Sequence, residues 1–471
     1  MFQLPVDCLD EIFEYLEEDL ITLHSCLLVN RLWCKVSVRI LWRNSLNYNV
    51  QTYSTLVACL PKESKEILSK SGIIILTPTS KPPMFNYASY CKVLSINHIF
   101  DQIRYLFKNQ SYKVIEQEIY RLHMSQITSL KELKFMQFSS INFTLYPGSK
   151  DCLKNLSKLN CSSNDSHEIF YQLSHFCHNL SSLKITIGND ISNGLIDLIS
   201  VQKNLKDLGI IHLYDCDKDI ISTLSSLSTN LPDTLIKLQL YRRSNPLSFI
   251  AKFTILQELI LSFNYTNSFE GFEILQYIRF PQLQILKIRY SVPKYELLIK
   301  FLEINGRNLK EIYLGDLSGE SENSLNLVIS KFCINLRVIS VGFKNYELET
   351  LEIVFNNCKY LERIYIWCGG KYLSEKEALD AALEYSRENI FELTLYHLYD
   401  VDSKLLPEEL ESFFMNWTNR IQPKSLSLTI VNNDDNSLHT SDENMKIIEK
   451  YTKLGVIKTF KVTDFEDDEF N

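Results

Sequence analysis

Between residues 130 and 390 a single apolar pattern recurs, and it limits the fold more than any other feature of the chain. The form is Leu-x-x-Leu-x-Leu, with first anchors at Leu130, Leu156, Leu180, Leu205, Leu235, Leu256, Leu283, Leu309, Leu336, Leu361 and Ile390. Ten steps cover 260 residues, a mean spacing of 26. Apolar and polar residues alternate over the last positions of each motif, which predicts a half-buried strand. Between motifs the apolar spacing changes to three and four, as in Leu325, Val328, Ile329 and Phe332 or in Leu351, Val354 and Phe355, and this predicts a helix in each unit. Ser374-x-x-Glu377 is a capping box that opens another of these helices. A strand, a turn and a helix cannot bury their apolar faces alone, so the units must stack. A weaker strand at Cys91 with Leu94 and Ile96 precedes the series. Two more follow it, ending in Leu426, Leu428 and in Phe460, Val462, so the stack should hold about fourteen strands.

A doubly wound sheet also alternates strands and helices. Its strands, covered on both faces, would be nearly continuous apolar runs, and eleven strands at a constant step exceed what one twisted sheet usually holds. The expected fold class is therefore α/β, a solenoid with a curved parallel sheet on its concave face and helices on its convex face. The motif resembles leucine-rich repeats, whose period spans this spacing. Cys177, Cys333 and Cys358, each standing just before the next Asn-Leu or Tyr-Leu, resemble the cysteine-containing class of those repeats.

Ahead of the stack, Leu4 to Arg43 shows three short amphipathic helices. Leu9, Ile12, Phe13 and Leu16 form one stripe behind Pro5, which suits a first helical turn. Asp19 can cap a second helix carrying Leu20, Leu23 and Leu27, and Asn30 a third carrying Trp33, Val36 and Ile40. Helices this short are marginal alone and must pack on one another. The residues Leu4, Pro5, Asp7, Leu9, Ile12, Phe13, Leu16, Asp19, Leu20, Leu28, Val29, Trp33, Leu41 and Trp42, in this order, resemble an F-box, the motif that docks to the Skp-type adaptor of cullin–RING ubiquitin ligases. That resemblance implies adaptor contacts at Leu4, Pro5, Ile12, Leu16, Leu20, Leu28, Val29 and Trp33, and covers under a tenth of the chain.

The division expected is 1–45 F-box, 46–90 coupling segment, 91–463 repeats and 464–471 acidic tail. In the coupling segment, Tyr53 to Leu68 reads as helix broken at Pro61, Gly72 to Leu76 as a short strand and Thr77 to Pro83 as a loop. The segment carries too many apolar residues for a flexible linker. A tail with five carboxylates from Asp464 to Asn471 reads as a solvated end.

A net charge of −8 argues against a nucleic-acid partner, since phosphate binding needs a basic face and the longest basic run is Arg242-Arg243. Apolar runs such as Ile73 to Leu76 fall far short of the roughly 20 residues that a membrane span needs. The beginning of the chain lacks the basic and small-residue marks of a signal peptide. The expectation is thus a cytosolic or nuclear protein without nucleic-acid or membrane partners. The twelve cysteines contain no Cys-x-x-Cys and read as reduced, packed thiols. His175 and His178 flank Cys177, too few ligands for a metal site. Gly369-Gly370-Lys371 lacks the earlier glycine of a phosphate loop. No catalytic, metal or cofactor residue is therefore expected.

Residues alternating with the inward leucines should line the exposed sheet. These are Lys237, Gln239 and Tyr241, then Lys287 and Arg289, Glu311 and Tyr313, Arg363, Tyr365 and Trp367, and Glu392, Thr394 and Tyr396. Tyr, Trp and Arg together are the composition of binding hot spots, so Tyr313, Arg363, Tyr365, Trp367 and Tyr396 are the candidate contacts for a target protein. Overall the resemblance implies the substrate-recognition subunit of an SCF-type ligase. Alternatives are a non-catalytic scaffold or inhibitor, and a regulator of a small GTPase, which would need an exposed Arg or Asn on a loop that nothing marks.

Overall fold

The structure, a computed structural model, describes residues 4–73, 83–107, 112–136, 142–188, 191–213, 229–242, 246–315, 319, 321–386, 389–397, 405–420, 424–432 and 437–464. The chain forms two compact units, Met1–Thr234 and Leu235–Asn471.

The first unit opens with helices α1 (Val6–Glu14), α2 (Leu20–Cys26) and α3 (Arg31–Leu41). Asp19 caps α2 by accepting from the Thr22 N–H at 3.0 Å, and Asn30 caps α3 by accepting from Leu32 and Trp33 at 2.9 Å. Their stripes close one small core of Leu9, Phe13, Leu23, Cys26, Val36 and Ile40. Helices α4 (Val50–Cys59) and α5 (Lys62–Lys70) follow, interrupted at Pro61 as the sequence requires. Of the strand expected at 72–76, residues 74–76 lie outside the described residues, as does most of the loop at 77–83. Strand β1 (Val93–Ser95) is cut short because Ser95 caps helix α6 (Ile96–Leu106), so Ile96 is helical and not the strand residue that the motif suggests. Helix α7 (Tyr112–Gln126) completes this longer connection. Strands β2 (Glu132–Lys134), β3 (Lys158–Ser162), β4 (Ser182–Ile187) and β5 (Asp207–His212) continue the sheet in chain order, all parallel. Helices α8 (Ser149–Leu153), α9 (His167–Phe176) and α10 (Asn193–Ser200) connect them.

The second unit carries nine parallel strands in chain order. These are β6 (Lys237–Arg242), β7 (Glu258–Phe263), β8 (Ile285–Tyr290), β9 (Glu311–Leu314), β10 (Val338–Val341), β11 (Arg363–Cys368), β12 (Glu392–His397), β13 (Leu426–Val431) and β14 (Ile457–Thr463). All eleven motif strands, and the three weaker ones, are present. The connecting helices are α11 (Phe272–Leu275), α12 (Tyr295–Asn305), α13 (Asn323–Phe332), α14 (Leu348–Asn357), α15 (Glu375–Glu384), α16 (Pro407–Thr418) and α17 (Asp442–Lys453). Successive motif leucines stand directly opposite one another, as in Leu259↔Leu286↔Ile312 and Ile364↔Leu393↔Leu428, and all six are buried. Each unit is thus an α/β stack of strand–helix repeats of the leucine-rich-repeat kind.

Two recurrent polar features of the repeats have a physical explanation here. The Asn before the first leucine donates to a carbonyl of the preceding repeat, Asn308 to Pro281 at 3.0 Å and Asn335 to Arg307 at 2.8 Å. The Cys at each helix end is buried between repeats, with the Cys358 thiol donating to the Cys333 carbonyl at 3.5 Å. Burial pushes the Cys177 and Cys358 thiols up to about 12. None of the described helices is long and apolar enough to cross a membrane.

Leu286→Ala should cost about 2–5 kcal/mol in denaturant unfolding, by cavity formation in the ladder, whereas Tyr277→Ala, at an exposed side chain, should stay within about 0.5 kcal/mol. In the native protein a thiol reagent should modify exposed Cys8 quickly and Cys177 and Cys358 only on unfolding. The stabilisation these raised thiols supply is complete below pH 9 and should be lost as the pH climbs from there toward 12; replacing both with Ala should flatten that alkaline decline.

Candidate functional site

Two surfaces carry the residues that the sequence pattern marks as contacts. The first is on the N-terminal helices. Once Leu9, Phe13 and their partners fill the small core, a large apolar set is left outside: Leu28 is 89% exposed, Tyr15 90%, Ile21 82%, Val29 56%, Leu4 51% and Ile12 48%. Pro5 is exposed as well. Of the residues that the sequence pattern marks, Leu4, Pro5, Ile12, Leu28 and Val29 therefore face solvent. Leu16, Leu20 and Trp33 are half-buried and pack on the unit's own core, with the Trp33 ring edge-on to Phe13 at 5.1 Å. Tyr15 and Ile21 were not marked by the pattern. They fall off the apolar stripe, and that misplacement on an amphipathic helix is the signal that could have found them.

This helical group is held firmly to the first strand. Arg39 pairs with Asp10, and Arg43 makes a two-pronged bond to Glu14 at 2.5 Å, tying α3 to α1. The Arg43 bond holds the Glu14 carboxyl below its ordinary range. The Arg43 carbonyl in turn accepts from the Lys92 and Val93 N–H groups at 2.7 and 3.0 Å, and Asn44 bridges to Val93 in parallel. Trp42 packs between Tyr48 and Tyr87, with ring centroids at 5.2 and 4.3 Å. The described part of the coupling segment is packed, not a loose tether.

The second surface is the outer face of the sheet in the C-terminal unit. Strand register places Tyr313, Ser340 and Tyr365 in one row, and Glu311, Val338 and Arg363 in the next. Because Ser340 is small, the Tyr313 and Tyr365 rings meet across β10 at 5.6 Å. Arg363 likewise reaches over Val338 to Glu311 at 3.4 Å, and Tyr365 donates to Glu392 at 3.0 Å. Lys287 lies 4.5 Å above the Tyr313 ring, a cation–π contact.

Trp367 and Tyr396 require a correction. Alternation along the strand places them on the outward face, yet Trp367 is fully buried and Tyr396 is 3% exposed. Their rings stack at 5.0 Å with an interplanar angle of 19°, and Tyr372 lies 6.1 Å from Trp367. The cause is Gly319, beyond the end of β9. A Cβ there would stand 2.7 Å from the indole, and one at Gly342 would stand 2.0 Å from the Gly319 carbonyl. Backbone therefore lies over Trp367 and makes it core, and Tyr396 is buried in the cluster that Trp367 forms with Tyr372 and Val431. Tyr313, Arg363 and Tyr365 remain half-buried and reachable.

His175 and His178 bond the Tyr171 and Ser174 carbonyls of their own helix at 2.7 and 3.0 Å. Among the described residues no three His, Cys, Asp or Glu side chains gather as metal ligands would. The acidic tail beyond Asp464 lies outside the described residues.

No family model matches the chain, and no curated protein matches it in sequence. Among solved structures, it is similar to the leucine-rich-repeat-containing protein LegL7 from Legionella pneumophila, at 14% identity over 64% of this chain and 94% of that one, with a TM-score of 0.33. It is also similar to a chain of the Rad7 and Elc1 complex in yeast, at 14% identity over 93% of this chain and 95% of that one, with a TM-score of 0.38.

Gly342→Ala should lift the Gly319 segment and wet the indole beneath it. The expected result is a red-shifted Trp emission with greater acrylamide quenching, absent when the same change is made in a Trp367→Phe background.

Proposed function

We propose that this chain is a non-catalytic receptor subunit of an SCF-type ubiquitin ligase, working in the cytosol or nucleus. Its N-terminal helices bind a Skp-type adaptor, and the outer sheet face of the C-terminal unit, around Tyr313, Arg363 and Tyr365, holds a target protein. The observation that carries the reading is the apolar set around Leu28, Val29, Ile21 and Ile12, left outside a core that closes without it. Exposed apolar surface of this kind on a soluble module marks a protein-binding site, and its order along the chain is that of an F-box.

The receptor's contribution is proximity. Thioester transfer belongs to other subunits through the adaptor and cullin, and the receptor raises the effective concentration of a target lysine near them. The hydrogen bonds that the Arg43 carbonyl accepts from Lys92 and Val93 support this role, because they join the N-terminal helices stiffly to the first repeats.

The test is titration of the purified chain with a purified Skp-type adaptor. Ile12→Asp together with Leu28→Asp should weaken binding at least about a hundredfold, since charges would be buried at the contact. The thermal midpoint should hardly move, as both side chains are exposed. Leu145→Asp, at another exposed position of the same unit, should leave affinity unchanged. Wild-type affinity in the double variant would sink the proposal.

A further inference from the structure

The last strand of the C-terminal unit differs from its neighbours in how its inward side chains are covered. At equivalent positions Leu314, Val341, Ile366, Leu395 and Ile430 are at most 1% exposed, whereas Val462, in register with Ile430, is 41% exposed. Strand β14 stands at the end of the sheet and, among the described residues, pairs with β13 alone. The Asn432 N–H donates to the Thr463 carbonyl at 3.1 Å. Backbone direction alternates along a strand. Thr463 and Lys461 therefore turn their N–H and C=O groups toward β13, and Phe460 and Val462 turn theirs to the open edge. Among the described residues, backbone without a strand partner and an exposed apolar side chain thus coincide at Val462.

Charge and register narrow what could add there. Lys461 is exposed on the opposite face of the strand, and Lys458 is the extra residue where the register with β13 shifts. That bulge protects the start of the edge and leaves 459–463 regular. A second copy pairing antiparallel through β14 in the register centred on Lys461 would set lysine against lysine across the ladder, which like-charge repulsion disfavours.

We propose that the open edge of β14 is a docking site for an extended segment of a partner protein in which acidic residues alternate with apolar ones, added as a further strand. Its backbone would bond the Phe460 and Val462 groups, its apolar side chains would cover Val462, and its carboxylates would face Lys461. This is the strand-addition mode of recognition, at a surface separate from the Tyr313, Arg363 and Tyr365 face.

The probe is a fluorescein-labelled peptide of four Val-Glu repeats, titrated by anisotropy with the full chain, with four Val-Lys repeats as the control. The Val-Glu peptide should bind and the control should not. Val462→Pro removes only an outward N–H, a change that an edge strand tolerates, and Lys461→Glu reverses the charge without touching the backbone. Each should weaken binding at least about tenfold with an unchanged thermal midpoint. Equal binding of both peptides, or wild-type affinity in both variants, overturns the proposal. A chain ending at Asp464 that binds the peptide tenfold tighter than the full chain would show that residues 465–471 are the occupant, and a concentration-dependent dimer lost in Val462→Pro would show a second copy; either result also overturns it.

Discussion

The in-register apolar ladder is the constraint on which everything else in this protein rests. Leu286 can be buried only because Leu259 and Ile312 stand directly opposite it on the flanking strands. The same condition recurs at every strand, so each repeat is stable only in the company of its neighbours. The asparagines that bond back one repeat and the cysteines wedged at helix ends serve the same stacking. Once the ladder has fixed strand direction and register, the outward residues fall into rows without further instruction. Those rows bring Tyr313 to Tyr365, which lie two strands and more than fifty residues apart.

The N-terminal helices follow a different rule. Their core is small, closed by six buried side chains, and a unit of that size cannot cover every apolar residue it carries. What it leaves outside includes Leu28, Val29, Ile21 and Ile12, while ion pairs from Arg39 and Arg43 hold the helices that carry them. Stability and apolar exposure are thus divided between different residues of the same short helices. Leu16, Leu20 and Trp33 belong mainly to the first task.

At Trp367 and Tyr396 the outward rows are overruled. Alternation is a statement about the strand alone, and it places Trp367 and Tyr396 outside. Backbone from another repeat then lies over Trp367, an approach that the missing side chains of Gly319 and Gly342 permit, and Tyr396 is buried against the Trp367 ring. The aromatic cluster there strengthens the sheet and offers nothing to a partner. Tyr313, Arg363 and Tyr365 keep a partly accessible face and hold one another in place through Glu311 and Glu392.

The amino-acid sequence by itself determined the α/β class, the strand count, the capped helices and the break at Pro61. All of these follow from periodicity and from local backbone chemistry, which act within a few residues of chain. It also marked Leu4, Pro5, Ile12, Leu28 and Val29. Only the tertiary structure decided which marked residues are free to act, because solvent exposure depends on what distant segments bring to the same place. The burial of Trp367, the exposure of Tyr15 and Ile21, the Arg43 tie to the first strand and the open edge at Val462 all come from contacts or missing contacts between parts of the chain that no local pattern relates.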